Sequence, residues 1–451
     1  MAARLVQSLL LLAALAPSVL SQSNAPTCGD GKLCPADSPC CSQYGQCGVG
    51  AYCLGGCDPA NSATIDACVP APICQNKKYS FDNLDRIVSN TKYLGDANSA
   101  DFVSSGQPLS HNGQVLLTMA EGTVGTLLAT THYVWYGKTT ARFSSGAGAG
   151  VVTAFILLGD SKDEIDYEIV GTELNSVQTN FYSLGVTNYE NGGNTTGLTS
   201  VYENMHDYEI DWTPDKITWS IDGKEVRTLD REDTWNATAN RYTFPQTPCR
   251  VQLSLWPGGL PTNGKGTIDW AGGLVQWDSP YMTNGYYYAA FEEVTIECYN
   301  PPAGSNVNGN NSYIFTDKAM TNRSVEVTND KTVLKSLLGT GTNMSADYPH
   351  ASASASASDV ETVPGLSGAG PGTNGQRGDN DTSGDDGNSG NSGNSGNSGG
   401  GTATGTDSAA TGFVQGNGGM NAATHITGNP ERVLKGSLFA VVVAIVGLCI
   451  M

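Results

Sequence analysis

The sequence predicts an all-β protein: a sandwich of two packed sheets, preceded by a small disulfide-rich knot. Three observations carry this. From Tyr79 to about Tyr299, short apolar and aromatic runs alternate with Gly, Asn and Asp turns, and no sustained helical periodicity appears. That span, about 220 residues, suits one sandwich with room for a cleft. Nine of the twelve cysteines crowd between Cys28 and Cys74, a segment too small for a hydrophobic core and dense enough to be a disulfide scaffold.

Taken in chain order, residues 1–21 read as a secretory signal, with Arg4, an apolar run from Leu9 to Leu15, and small residues Val19 and Ser21 before a cut. The knot follows over 22–57 and a linker over 58–78. The sandwich occupies 79–300, with its strands expected in VLLTMA, TARFSS, VVTAFILLG, EIDYEIVG, YEIDWT, KITWSIDG, RVQLSLW and EEVTIECY. Residues 301–421 shift to Ser, Gly, Asn, Thr and Ala, with ASASASAS at 351–358 and NSG repeats from Asn388 to Gly399. Such a composition predicts a disordered stalk. The tail from Ser437, preceded by a polar spacer and the small triplet Asn421, Ala422, Ala423, reads as a lipid-anchor signal over 422–451 that is removed, with Asn421 as the attachment site. Asn417 is a second candidate site, and a plain transmembrane anchor is the alternative. Sequons at Asn194, Asn236, Asn310, Asn322, Asn343 and Asn380 suit a secreted glycoprotein.

A formal charge of −20, from 43 acidic and 23 basic residues, lacks the basic footprint of a nucleic-acid binder. No metal constellation is visible among five well-separated histidines, and no cofactor is implied. Without Cys449 the processed chain holds eleven cysteines, an odd number. Cys249 is expected to pair with Cys298, leaving the odd thiol among Cys57, Cys68 and Cys74.

Within this frame DEIDYE, Asp163 to Glu168, is unusual for its four acids in six residues. On a strand Glu164, Asp166 and Glu168 share one face, while Ile165 and Tyr167 share the other. Alpha carbons four residues apart lie roughly 13 Å apart, and two glutamates reaching about 4 Å toward each other leave their carboxyls roughly 5 Å apart. Retaining glycosidases hold their carboxyl pair at about that separation. A solvated acidic strand or a calcium site is the plain alternative. Asp163 faces the other way and suits a capping or turn role.

The knot sequence CGDGKLCPADSPCCSQYGQCGVGAYC, with adjacent Cys40 and Cys41, resembles the hevein-like chitin-binding module, carbohydrate-binding module family 18. The resemblance implies pairings of Cys28 with Cys41, Cys34 with Cys47 and Cys40 with Cys53. It also implies that Ser42 hydrogen-bonds an N-acetyl group while Tyr44 and Tyr52 stack on sugar rings. Gln46 stands where the family has another stacking aromatic. A knot that only caps the larger domain is the alternative.

DEIDYE followed by EIVG, then HDYEIDWTPDKITWSIDGKEVR and SLWPGGLPTNGKGTIDWAGG, resembles glycoside hydrolase family 16 over Tyr79 to Tyr299. The implied fold is a concanavalin-like β-jelly-roll sandwich. With a cysteine knot, a stalk and a lipid anchor, the chain is most similar to the fungal Crh-type cell-wall transglycosylases, which join chitin to β-glucan. The resemblance implies Glu164 as nucleophile, Glu168 as acid/base and Asp166 as helper. Trp219, Trp256 and Trp270 are candidate platforms for the C–H faces of sugars, though each could be core. His206 could touch the catalytic row or be structural, and Arg250 could bind a sugar hydroxyl or pair with an acid. The expected partners are chitin and β-glucan, with the membrane reached through the lipid, and the chain is expected to act as a monomer. A β-glucan or chitin hydrolase would share the motif, whereas a non-catalytic chitin-binding wall glycoprotein would not need both glutamates.

Overall fold

The computed structural model describes residues 26–186, 188–348 and 362–364. The predicted signal, the Asn380 sequon and the anchor with Asn421 lie outside the described residues. Two eight-stranded sheets pack face to face, and all eight expected runs lie in strands.

Five strands position the site: β1 (Thr126–Val134), β2 (Val151–Gly159), β3 (Glu164–Val170), β4 (Ser176–Tyr182) and β5 (Cys249–Pro257). Across their sheet the order is Gly193–Thr196, β4, β3, β2, β5, β1, Phe102–Ser105 and Ile87–Ser89. The period of two sends Ile165, Tyr167 and Ile169 of β3 into the inter-sheet core with Phe155, Leu157, Leu253 and Leu255. From the opposite sheet Phe143, Tyr208, Ile210, Trp212 and Phe291 close that core. The Tyr167 hydroxyl donates to main-chain oxygens of Glu209 and Ser220, locking the sheets in register.

The knot carries the three pairings that the resemblance implied: Cys28–Cys41, Cys34–Cys47 and Cys40–Cys53. The other cysteine expectation fails. Cys74 pairs with Cys298 and Cys57 with Cys68, while Cys249 is a buried free thiol. The reason is an unforeseen strand, Lys77–Ser80, which pairs antiparallel with Tyr286–Cys298 so that Lys77 faces Ile296 and Cys74 comes beside Cys298. Cys249 instead directs its sulfur at the main-chain oxygen of Thr247.

The domain expectations also need correction. Residues 58–78 are not a free linker: Asp58 meets Lys162 at 3.3 Å, Cys68 is disulfide-bonded, and Ala71–Pro72 pairs with Ser312–Tyr313. Nor does a structureless stalk begin at 301. Asn306–Val307, Ser312–Phe315 and Val325–Thr328 join Ala71–Pro72 in a small sheet. The chain then returns along the knot, where Gly339 accepts from the Gly50 amide and Gly341 donates to Ala67. Gly50 has φ +62°, and a Cβ there would lie 2.1 Å from the Leu337 oxygen, so this close crossing requires glycine. The apolar and β-branched residues SYIF and VEVT inside an otherwise polar tract are what allow this segment to fold. Asn194, Asn236, Asn310 and Asn343 are exposed and Asn322 is half-buried, so the described sequons stand at the surface.

Candidate active site

The acidic row lies on the face of β3 turned away from the core. Its neighbours follow from register: Glu164, Asp166 and Glu168 stand opposite Leu158, Ile156 and Ala154 of β2, and opposite Tyr182, Asn180 and Gln178 of β4. Asp166 and Glu168 are almost fully buried, at 1% and 2% exposure, and Glu164 is half-buried. From the core side the Trp219 indole N–H donates to the main-chain oxygen of Asp166 at 3.1 Å, which fixes the strand from below.

Three carboxyls on one buried strand face cannot all ionise cheaply. Burial, reinforced by the charge of Glu168, pushes Glu164 up to about 8. Asp166 is held well above the usual carboxylate range, first by burial and then by Glu168 and Glu164, with Arg227 pulling the other way. The row therefore retains protons at neutral pH. A protonated carboxyl beside an ionisable one is the pairing that retaining glycoside chemistry needs.

Asp163 points away from the row, as its alternation dictates. Its side chain accepts from the amides of Leu184, Gln246 and Thr247 and from the Thr247 hydroxyl, tying two loops to its own behind the site.

At the Glu168 end, two of the proposed platforms come together. Trp256 stacks on Trp270 with centroids 6.0 Å apart, and the Trp270 indole donates to Gln178 Oε1 at 2.8 Å. Gln178 is the cross-strand partner of Glu168, so the aromatic pair adjoins the row. Trp256 Nε1 is buried without a hydrogen-bond partner among the described atoms, so a hydroxyl reaching it would satisfy an orphaned donor. Gly258 lies against Ala271 and the Trp256 ring, where a side chain would obstruct the packing.

Other expected site residues sit elsewhere. Trp219 is fully buried beneath Asp166, with the Arg227 guanidinium 4.6 Å from its ring centroid, and presents no face to a sugar. His206 belongs to the opposite sheet, held by Asp222 at 2.7 Å and Thr199 at 3.1 Å, and is structural. Arg250 is buried and turns to the knot, where its charge also acts on Asp160. Its Nη2 donates to Gln43 Oε1 of the knot at 3.2 Å, and Gly55 and Gly56 press against the guanidinium.

The chitin-binding expectation is also corrected. Ser42, Tyr44 and Tyr52 are 3%, 9% and 1% exposed. Tyr44 packs on Ala154, Ile156 and Leu158 of β2, and Tyr52 enters a cluster with Leu54, Tyr93 and Leu334. The physical cause is the apolar outer face of β2, which needs cover. Sequence reasoning missed Gln178, Asn180 and Tyr182, although their alternation in SVQTNFY could have placed them on the same face as the acids.

The model for glycosyl hydrolases family 16 matches residues 96–272. Crh-like protein 2 of Aspergillus fumigatus is 52% identical over 383 residues, spanning 82% of this chain and 86% of that one. Crh-like protein 3 of Botryotinia fuckeliana is 51% identical over 439 residues, spanning 96% and 98%. A solved Crh5 transglycosylase in complex with NAG is 31% identical, with TM-score 0.48, and the match covers 60% of this chain and 99% of that one. By its family match and these relatives, the chain belongs to the Crh-like proteins of glycosyl hydrolases family 16, enzymes of the glycosidase and transglycosylase class.

Proposed function

We propose that this protein is a cell-wall transglycosylase that cleaves chitin by retaining double displacement and joins the freed end to β-glucan. The observation that carries the reading is the buried row itself: Glu164 and Glu168 four residues apart on one face of β3, close enough for the charge of one to raise the other. Glu164, when ionised, attacks the anomeric carbon of the donor. The bond to the leaving oxygen breaks as Glu168 supplies its proton. The acceptor hydroxyl then gives its proton to Glu168 and its oxygen attacks the same carbon, releasing Glu164. One glycosidic bond is exchanged for another, and two inversions restore the configuration.

Asp166 stands between the glutamates and shares their proton load, and Trp256 with Trp270 forms the sugar wall. Transfer requires that an acceptor sugar outcompete water, and the deep burial of Asp166 and Glu168 favours this by excluding solvent. The apolar leader and tail of the sequence support export and lipid anchoring at the outer membrane face or in the wall.

The test is incubation with chitin oligosaccharides and a labelled β-glucan acceptor, read by mass. Hybrid product supports transfer, shortened donor alone identifies a hydrolase, and no reaction of either kind removes the enzymatic reading. Changing Glu164 to Gln should abolish both products.

A further inference from the structure

In an antiparallel sheet with one wet face, strands alternate apolar and polar residues. β2 does not. VVTAFILLG is buried at every position, including Ala154, Ile156 and Leu158 on the outer face beside the acids. Something must cover that face, and the cover is the knot: Tyr44 shares one buried cluster with these three side chains. One strand further on, Gln43 Oε1 accepts from Arg250 Nη2 at 3.2 Å and Gln252 Nε2 at 3.4 Å, both on β5. Beyond that, the Gly56 amide donates to the Tyr133 hydroxyl of β1 at 3.1 Å and to Asp160 at 3.0 Å. The knot thus roofs successive strands on the side of the row opposite β4.

We infer that the disulfide knot is a fixed wall of the catalytic cleft, with Tyr44 and Gln43 as the residues that determine how far a polysaccharide extends past the carboxylates. The inference rests on the function proposed above. Neighbouring strands are about 4.8 Å apart, so Tyr44 stands a single strand spacing from the acids, and a chain crossing the row toward Arg250 and Gln252 of β5 meets the knot at once. Glu164 within the row and Gln178, Trp256 and Trp270 beside it are half-buried, so the polymer's path is turned toward the tryptophan pair.

Several features make this a wall and not a loosely tethered module. Three disulfides pre-order the knot. Asp58 meets Lys162 below it. The returning segment clamps its outer side through Gly339 to Gly50 and Thr362 to Ala51. Tyr52, Cys53 and Leu54 share a buried cluster with Tyr93, Ala100 and Leu334.

A wall fixes the cleavage position relative to one end of the donor. The experiment uses the full chain, with end-labelled chitin and β-glucan oligosaccharides of increasing length and the products sized by mass. With the wild type, the piece on the walled side should keep one short length however long the donor. In a Gln43→Ala, Tyr44→Ala variant that piece should lengthen by one or more sugars. If this variant loses its disulfides by non-reducing mass analysis, Tyr44→Leu preserves apolar cover of Ala154, Ile156 and Leu158 while removing the ring, and the same lengthening is expected. Cleavage spread along the donor by the wild type, or an unchanged position in a correctly disulfide-bonded variant, overturns the wall. Failure of the wild type on both donor series instead overturns the proposed function on which the wall depends.

Discussion

Replacing Glu164 with Gln should abolish turnover and at the same time stabilise the fold above about pH 5, because the wild-type carboxyl sits in a place that resists charge. Its folded value lies near 8 against an ordinary 4.5, raised first by burial and second by Glu168. The unfolded chain ionises this group from about pH 4.5 upward, while the folded chain holds the proton, so stability is fully present below the unfolded value and is lost as pH rises toward the folded one. Each pH unit in that window is worth about 1.4 kcal/mol. The full loss comes to about 2 kcal/mol at pH 6 and about 4 kcal/mol at pH 8. Glu164 is half-buried and shares its proton with neighbours, so about half of each figure is the expected effect. Glutamine has the same shape and no charge to resist. Urea unfolding of wild type and Glu164→Gln, followed by tryptophan fluorescence at pH 4.5, 6 and 8, measures the difference. The variant should match the wild type at the lowest pH and exceed it by about 1 and then about 2 kcal/mol. A constant difference across the series, or a variant less stable at pH 8, would refute the placement of Glu164 in a buried, mutually repelling row.

Two further outcomes follow from the same structure. The Cys74–Cys298 bridge closes a sequence separation of 224, and loop-closure entropy assigns such a bridge about 5 kcal/mol. Changing both cysteines to Ala should therefore lower the melting temperature sharply, whereas Cys249→Ala should leave every disulfide intact by peptide mapping. Finding Cys298 bonded to Cys249 would contradict this pairing. At the knot, burial pushes Asp160 up to about 6, and its side chain accepts from both Tyr133 and Gly56. Asp160→Ala leaves the Tyr133 hydroxyl without its acceptor and the Gly56 amide with only the Tyr133 oxygen, at a cost of about 1–3 kcal/mol, and should raise amide hydrogen exchange at Gly56, while Asp160→Asn, which keeps an acceptor, should not.

By itself the sequence determined whatever depends on the local period of the chain. Alternation in EIDYE placed three acids on one face and Ile165 and Tyr167 in the core, because a strand has only two faces. The spacing in the knot carried a resemblance strong enough to imply three correct pairings. Tertiary structure decided what depends on which strands become neighbours. Trp219 and Trp256 both sit in strands, and only sheet assignment made one a buried prop under Asp166 and left the other half-buried and stacked on Trp270 near Glu168. Cys298 took Cys74 because Lys77–Ser80 pairs beside it, a contact across 224 residues that no local pattern encodes. The knot tyrosines were read as sugar platforms from their own segment, yet Tyr44 is covered from Ala154, Ile156 and Leu158 and Tyr52 from Tyr93 and Leu334, all outside that segment. The nearly continuous apolar run of β2 was the local trace of that docking: a strand with two dry faces must have a partner on each, and the second partner was the knot.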